Sequence, residues 1–568
     1  MKKILAILIC ITMLVVTFVA CDEPNAFEDR SDATNAAQGD DSQNTDKVEE
    51  SEDTKATDEE NKVTEEDKTE EVKPLAPLPE SSEGLKFKLN DDQKGYTLVH
   101  IGDCQSTTII IGKYNGLPVT AIGANMRMYQ NAHTVYIGHS VTKLYPENFL
   151  DSFNSWDRIT VQEGNPVYSG AGGCLIEKAT KTLLVGASSS VIPDDGSVET
   201  IGEKAFYQCW NLKKVVIPDS VTKIEDNAFH SARCMTELVL SKNLKSIGNG
   251  AFNGCEMLEG DLVIPETVTF IGEAAFGGVA LKSVTIPASI KRIPSAMFAG
   301  SDLENVTIMP GIETIGNNAF QYCDDLESIV IPEGVTTIED EAFFHCSDLL
   351  HVSLPNSLIN ITSYSAVFES CESLVRNEYK GGYYLGNESN PYVYLINGKT
   401  PYSEIHPETR IIGPTAFGNF VGPELFIPAK VHTMYSDSFI IRKGTITSIE
   451  VDKNNTTYHS VSNCIIETAT GTVLYGREVS VIPDHESITV LGKKAFALCR
   501  SLTSIVIPKN IKEIGASCFG SCSALTEIRF EGTKDEWRAI VKGKDWNYGC
   551  GNYVIKCTDG DIAKADDK

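Results

Sequence analysis

The stretch Leu326-Glu327-Ser328-Ile329-Val330-Ile331-Pro332-Glu333-Gly334-Val335-Thr336-Thr337-Ile338-Glu339-Asp340-Glu341-Ala342-Phe343 decides the fold, because its apolar positions recur along the chain in the same register. Leu212, Val215, Ile217, Pro218, Val221, Ile224, Ala228 and Phe229 repeat it, and so does the run from Leu502 to Phe519. The opening Leu-x-x-Ile-x-Ile alternates apolar and polar at its end, the period-2 sign of a strand with one buried face. Pro332 then ends the strand, since proline offers no N–H to a ladder and biases the residue before it toward extended geometry. Val335 to Ile338 forms a second short extended piece. A turn of helix or 3₁₀ around Ala342-Phe343 is predicted to bring the chain back. One such unit cannot bury its own apolar side, so neighbours must stack into a continuous core.

Thirteen phenylalanines mark the period: Phe149, Phe206, Phe229, Phe252, Phe276, Phe298, Phe320, Phe343, Phe368, Phe417, Phe439, Phe496 and Phe519. Most successive gaps are 22 to 25 residues, with one of 49 and two of 57. Self-similarity at that period means a repeat array. Each gap of 57 is one period plus an insert of about 34 residues, and the gap of 49 is close to two periods.

These repeats resemble the BspA-like class of leucine-rich repeats, with the pattern L-x-x-I-x-I-P-x-x-V-x-x-I-G-x-x-A-F-x-x-C. The resemblance covers roughly residues 85–560. Its glycine stands as Gly202, Gly248, Gly272, Gly316 and Gly515, but Glu225, Pro294 and Glu339 replace it elsewhere, so the position does not strictly demand positive φ. Residues 85–137 hold a degenerate opening repeat in which Val119-Thr120-Ala121-Ile122-Gly123 survives. The resemblance implies an α/β, β-rich repeat solenoid, a curved leucine-rich-repeat array. Its turns number about fourteen at roughly 23 residues each, giving a sheet on the order of 65–70 Å long at strand spacing.

The inserts near 165–190 and 455–480 match one another at an offset of 290: Asn165, Tyr168, Cys174, Glu177, Thr180 and Pro193 correspond to Asn455, Tyr458, Cys464, Glu467, Thr470 and Pro483. Each reads as a β-hairpin, with apolar runs flanking a polar turn. A third interruption near 376–413 is rich in tyrosine. Residues 531–568 read as a C-terminal cap: Thr533-Lys534-Asp535-Glu536 fits a capping box, and Trp537 with Trp546 would cover the last repeat.

The chain begins with Lys2-Lys3 and an apolar run from Ile4 to Ala20, which indicates a secretory signal over residues 1–20. Val19-Ala20-Cys21 resembles the bacterial lipobox, although Phe18 stands where leucine is usual. That resemblance implies lipidation at Cys21 and an exported protein anchored by lipid at the bacterial cell surface; a plain N-terminal membrane anchor is the alternative, although 17 apolar residues are short for a span. Residues 22–73 carry 20 acidic and 6 basic side chains and almost no apolar periodicity, so 21–83 is expected to be a disordered, self-repelling tether. A coil over 22–83 spans roughly 40–45 Å root-mean-square before charge repulsion extends it. Residues 84–530 then carry the repeats.

The whole chain has a formal charge of −29, and no basic stripe interleaves with aromatics, so nucleic acid is not an expected partner. Of sixteen cysteines, seven stand three residues after a phenylalanine: Cys209, Cys255, Cys323, Cys346, Cys371, Cys499 and Cys522. Ala232, Val279 and Ser301 fill the same slot, which therefore wants a small buried residue rather than a disulfide. Cys518 and Cys522 have metal-like spacing but no second pair in register. Cys550 and Cys557 are candidates for a bridge in the cap. No H-E-x-x-H, G-x-S-x-G or phosphate-loop pattern occurs, and no cofactor, metal or catalytic residue is expected.

The strand positions facing away from the core are predicted as Lys214/Val216, Glu237/Val239, Asp261/Val263, Ser283/Thr285, Asn305/Thr307, Ser328/Val330, His351/Ser353 and Ser504/Val506. They are small or β-favouring, without an aromatic or arginine anchor. Aromatics gather instead at Tyr379, Tyr383, Tyr384, Tyr392, Tyr394 and Tyr402, with half of the cluster expected to pack the insert itself and Tyr383, Tyr384, Tyr392, Tyr394 and Tyr402 as candidate contacts. That segment is the candidate partner contact. Relatives of the BspA-like class imply adhesion to host matrix proteins or to other bacteria. A self-associating envelope spacer is the alternative, and an enzyme acting on glycans or peptides through the inserts is the third reading.

Overall fold

The computed structural model describes residues 75–123, 133–145, 156–361, 367–398, 401–439 and 446–567. The signal segment, Cys21, the tether up to residue 74 and Phe149 lie outside them. Pro77–Lys568 forms one compact unit, which corrects the expected tether: residues 77–83 belong to the solenoid, where the N–H groups of Ser81 and Ser82 donate to the Lys113 (2.9 Å) and Ile110 (3.0 Å) carbonyls. It is a β-solenoid of about nineteen turns. That exceeds the fourteen expected, in part because the last strand of each insert is itself a rung of the ladder.

Three hydrogen-bond ladders join equivalent positions of successive turns. The first links the Val-Thr-x-Ile pieces in parallel register: Thr200–Ile201, Lys223–Ile224, Ser246–Ile247 and Phe270–Ile271, then Arg292–Ile293, Thr314–Ile315, Thr337–Ile338 and Asn360–Ile361. The second links the strands before proline, such as Glu259–Val263, Ala280–Ile286 and Asn305–Ile308. The third runs through the Ala-Phe turn. The Phe206 N–H donates to the Ala228 carbonyl (2.6 Å), Phe229 to Ala251 (2.7 Å), Phe252 to Ala275 (2.8 Å) and Phe276 to Met297 (2.9 Å).

This third ladder corrects the expected helical turn. Residues two before and two after the phenylalanine are left-handed: Lys204 and Gln208, Asn227 and Ser231, Asn318 and Tyr322 all have φ of 54–58°. The alternation points N–H and C=O groups along the stacking direction, so they bond the next turn instead of continuing a helix. Among the described residues, only at Ala416–Asn419 and Ser436–Phe439 does the phenylalanine turn become a 3₁₀ helix. The single α-helix among the described residues is Lys534–Ala539, so the β-rich part of the expected fold class holds and the α part shrinks to six residues.

The phenylalanine rings form a column inside the ladder. From Phe206 to Phe368, eight rings stack with centroids 4.9–5.8 Å apart and planes within 15°. The repeat glycine has a related cause: a Cβ on Gly248 or Gly272 would stand 2.4–2.5 Å from a backbone nitrogen of the preceding turn. Close approach of two backbones, rather than positive φ, favours glycine there.

Each of the three inserts is an antiparallel meander whose last strand starts a new parallel run. Tyr168–Ser169, Leu175–Glu177 and Thr182–Val185 pair in that order before Thr182–Val185 joins Thr200–Ile201 in parallel. Tyr458–Val461, Cys464–Glu467 and Thr472–Tyr475 do the same. So do Asn377–Tyr379, Gly382–Leu385 and Tyr394–Gly398, which the sequence marks only as an interruption.

The later two strands of each meander carry buried side chains on both faces and divide the apolar interior into four clusters. Leu175 and Val185 pack with the cluster from Leu85 to Ala187, whereas Cys174, Ile176 and Leu183 pack with the cluster that follows. Leu385 and Tyr394 face that same cluster, and Tyr384 and Leu395 face the next. Ile465 and Tyr475 close the third cluster, while Cys464, Ile466 and Val473 open the fourth. Alternation along Cys174-Leu175-Ile176 and Cys464-Ile465-Ile466, with a bulge opposite that turns Val185 and Tyr475 to the other side from Leu183 and Val473, makes each of these inserts a wall between two cores, and alternation at Tyr384-Leu385 and Tyr394-Leu395 does so in the third.

The equivalence at offset 290 has a direct cause. The Asn165 amide donates to the Gly138 and Val141 carbonyls and accepts from the N–H groups of Val167 and Tyr168. Asn455 makes the same four bonds, to Pro428 and Val431 and from Thr457 and Tyr458. Gly186 and Gly476 leave room for the ring that follows each wall: a Cβ there would lie 1.9 Å from Phe206 Cε1 or 2.4 Å from Phe496 Cε1.

At the C-terminus the capping box forms as read, with Thr533 Oγ1 accepting from the Glu536 N–H and Glu536 Oε2 accepting from the Thr533 N–H (2.7 Å). Trp537 and Trp546 are buried, edge to face with centroids 6.0 Å apart, and Trp537 Nε1 donates to Asp567.

Candidate protein-interaction face

The pre-proline strands expose every second residue, and the predicted outward pairs are the ones that face away from the core. Lys214, Glu237, Asp261, Asn305, Ser328, His351 and Ser504 are exposed, and the row beside them holds Val216, Val239, Val263, Thr285, Thr307, Val330 and Ser353. Val263, Thr285 and Thr307 are in register across three strands, and Val330 pairs with Ser353. Val263 and Val330 are 66% and 67% exposed. Phe426 and Val506 are exposed at the same strand position farther along. The array therefore carries a stripe made mostly of valine and threonine beside a more polar row. A Lys214–Glu237 ion pair (2.6 Å) links neighbouring strands of the polar row.

The tyrosine cluster divides differently. Tyr384, Tyr394 and Tyr402 are buried in the insert, where Tyr402 donates to the Ala416 carbonyl (2.6 Å) and the Tyr384 hydroxyl accepts from the His406 N–H (3.1 Å). Burial pushes the Tyr384 hydroxyl up to about 12. Those three side chains hold the wall and are not presented to a partner, so the candidate contact narrows to the half-buried Tyr383 and Tyr392. Even Tyr392 is engaged, stacked on His406 with ring centroids 3.7 Å apart.

A shallow groove of about 300 Å³ lies on the first ladder, lined by Glu203, Lys223, Glu225, Asp226, Ser246 and Phe270. Its charges serve the stacking. Lys223 pairs with Glu225 (2.7 Å), Glu225 accepts from the Glu203 N–H (3.1 Å), and Asp226 accepts from the Asn249 N–H (2.8 Å).

The cysteine slot does more than fill space. Cys255, Cys323, Cys346, Cys371 and Cys522 each donate their thiol to the carbonyl of the phenylalanine one turn earlier, at 3.1–3.3 Å. Ser301 places a hydroxyl on the Phe276 carbonyl in the same way (3.0 Å). Burial pushes the thiols of Cys174, Cys209 and Cys464 up to about 12, which keeps them protonated. Cys518 is a buried thiol in the alanine position of its turn, and Cys550 donates to the Phe519 carbonyl (2.9 Å), extending the slot into the cap rather than pairing with Cys557.

Against known proteins, the description "BspA type Leucine rich repeat region" fits six copies, over residues 187–260, 260–375 and 477–538. Residues 187–375 and 477–538 of the chain are thus BspA-type leucine-rich repeats. Among solved structures it is similar to a leucine-rich repeat protein from Bacteroides ovatus, at 18% identity over 82% of this chain and 91% of that one, with a TM-score of 0.33. It is also similar to a leucine-rich repeat protein from Eubacterium ventriosum, at 25% identity over 46% of this chain and 64% of that one (TM-score 0.34). The pneumococcal vaccine antigen PcpA matches at 22% identity over 40% of this chain and 56% of that one (TM-score 0.29). No curated protein matches the chain.

Proposed function

We propose that this BspA-type repeat protein is a non-catalytic cell-surface lipoprotein that binds extracellular proteins, in adhesion to host matrix or to other bacteria. Cys21 is the lipidated residue in this reading, and residues 22–76 hold the solenoid away from the membrane. One observation carries it: the outward stripe from Val216 to Val330 is a solvent-facing row on successive sheets whose valines are 45–67% exposed. Solenoids present such surfaces to protein partners, and exposed apolar rows mark interaction sites.

The test is retention of purified matrix proteins and of neighbouring bacterial cells by beads bearing the full chain. Retention is expected, and Val263→Glu/Val330→Glu is expected to abolish it. A wild-type chain that retains neither sinks the reading. Separately, Cys21→Ser is expected to remove radiolabelled palmitate incorporation and membrane association. Unchanged labelling would overturn the anchor.

A further inference from the structure

The turns are not uniform in charge. Residues 293–375 contain thirteen Asp and Glu and no Lys or Arg, whereas residues 204–245 carry seven Lys and Arg against four Asp and Glu. In the acidic turns, Glu304, Asp325, Glu327 and Asp348 are exposed where the pre-proline strands begin, beside the stripe of Val263, Thr285, Thr307 and Val330. Lys282 reaches in from the preceding turn and meets Glu304 (2.8 Å) and Asp325 (3.3 Å). Among the described residues, Glu327 and Asp348 meet no Lys or Arg.

We infer that the outward face over residues 259–353 takes a cationic, extended segment of a protein partner, one that alternates aliphatic side chains with lysine or arginine. The inference rests on the protein-binding reading above and names its partner class. An aliphatic row would cover the Val/Thr stripe, and each lysine stem would lie along it while its ammonium reaches a carboxylate at a strand start. The uncompensated negative charge repels acidic partners and speeds encounter with basic ones, a contribution that weakens as salt screens it. A small polyamine supplies the charge without the aliphatic cover, so both features together point to a polypeptide.

The probe is a soluble peptide of about sixteen residues alternating Lys with Val and Thr, with its glutamate counterpart and an oligolysine of equal length as controls. Each is titrated into the full chain at about 50 and about 300 mM salt. The Lys/Val peptide is expected to bind, more weakly at the higher salt, and the glutamate peptide not at all. Glu304→Gln/Asp325→Asn/Glu327→Gln/Asp348→Asn is expected to weaken binding at least about tenfold, and Val263→Ser/Val330→Ser at least about fivefold. Circular dichroism checks that both variants keep the fold. Zero-length carbodiimide cross-links from the peptide lysines are expected at the four carboxylates. The inference is overturned if either variant binds as the wild type does, if oligolysine binds as tightly, or if the cross-links fall within residues 22–73. It is also overturned if the chain self-associates through this face and the carboxylate variant dissolves the dimer. Matrix retention that survives the carboxylate variant would sink this inference alone, whereas absent retention by the wild type sinks the broader reading.

Discussion

In the regular turns from Thr200 to Ile361 a strand buries one face and leaves the other to solvent, as Lys214–Val216 does with Val215 inside and its neighbours exposed. In the inserts both faces are inside: Cys464, Ile465 and Ile466 are all buried, with Ile465 in one core cluster and its two neighbours in the next. The gaps of 57 and 49 residues therefore mark where the array needs a wall, not where it adds an accessory. The ring column shows the difference. Phe206 to Phe368 stack without interruption, but beyond the third insert Phe417 and Phe439 tilt by 31° and Phe439 stacks on Tyr475 of the next wall. An ion pair between Lys494 and the buried Asp437 ties together the turns on either side of that wall.

The comparison breaks most visibly if a wall tolerates a charge. Ile466→Asp is expected to cost about 4 kcal/mol or more, since it places a carboxylate in a closed cluster. Val216→Asp, on an outward position, is expected within about 0.5 kcal/mol of wild type. Urea unfolding of the two variants checks both figures, and similar values would erase the distinction. Gly476→Ala, whose Cβ would press on the Phe496 ring, is expected to cost about 2–3 kcal/mol. Gly300→Ala, with nothing within 4 Å and φ at +70°, is expected to cost only about 1 kcal/mol.

Asn165→Ala and Asn455→Ala should each cost about 2–3 kcal/mol by calorimetry, because four backbone groups lose one bracket. Unequal values would mean that the two equivalent inserts are held differently. The smallest effect belongs to the regular turns. Cys323→Ser is expected within about 1 kcal/mol of wild type because a hydroxyl can donate to the Phe298 carbonyl as Ser301 does to Phe276, and Cys323→Ala is expected to cost about 1–2 kcal/mol.

Much of this was legible in the residues. The phenylalanine period and the Ile-Pro strand ends define the turns, and alternation alone named the outward rows from Lys214/Val216 to Ser504/Val506. The third ladder was not legible, since its left-handed positions are held by Lys204, Gln208, Asn227, Ser231, Ala296 and Glu341 with no constant glycine to announce them. The cysteine slot was read as small and buried, but its shared chemistry with Ser301, a donor aimed at a carbonyl, needed the neighbouring turn in place. The walls were half visible. Cys174-Leu175-Ile176 and Cys464-Ile465-Ile466 are unbroken apolar runs, the pattern of strands buried on both faces, yet the polar turn that follows each run announces only a hairpin. Tyrosine obscured the third wall, because a ring with a hydroxyl suits a contact surface as well as it suits Tyr402, whose hydroxyl meets a carbonyl in the interior.

Native-state hydrogen exchange, resolved to single peptides, tests most directly whether the inserts belong to the core. If they are walls, amides of Leu175–Glu177 and Cys464–Glu467 exchange as slowly as those of the adjacent turns around Phe206 and Phe496, and open together with them. Insert amides that exchange at loop rates while the phenylalanine turns stay protected would contradict the account.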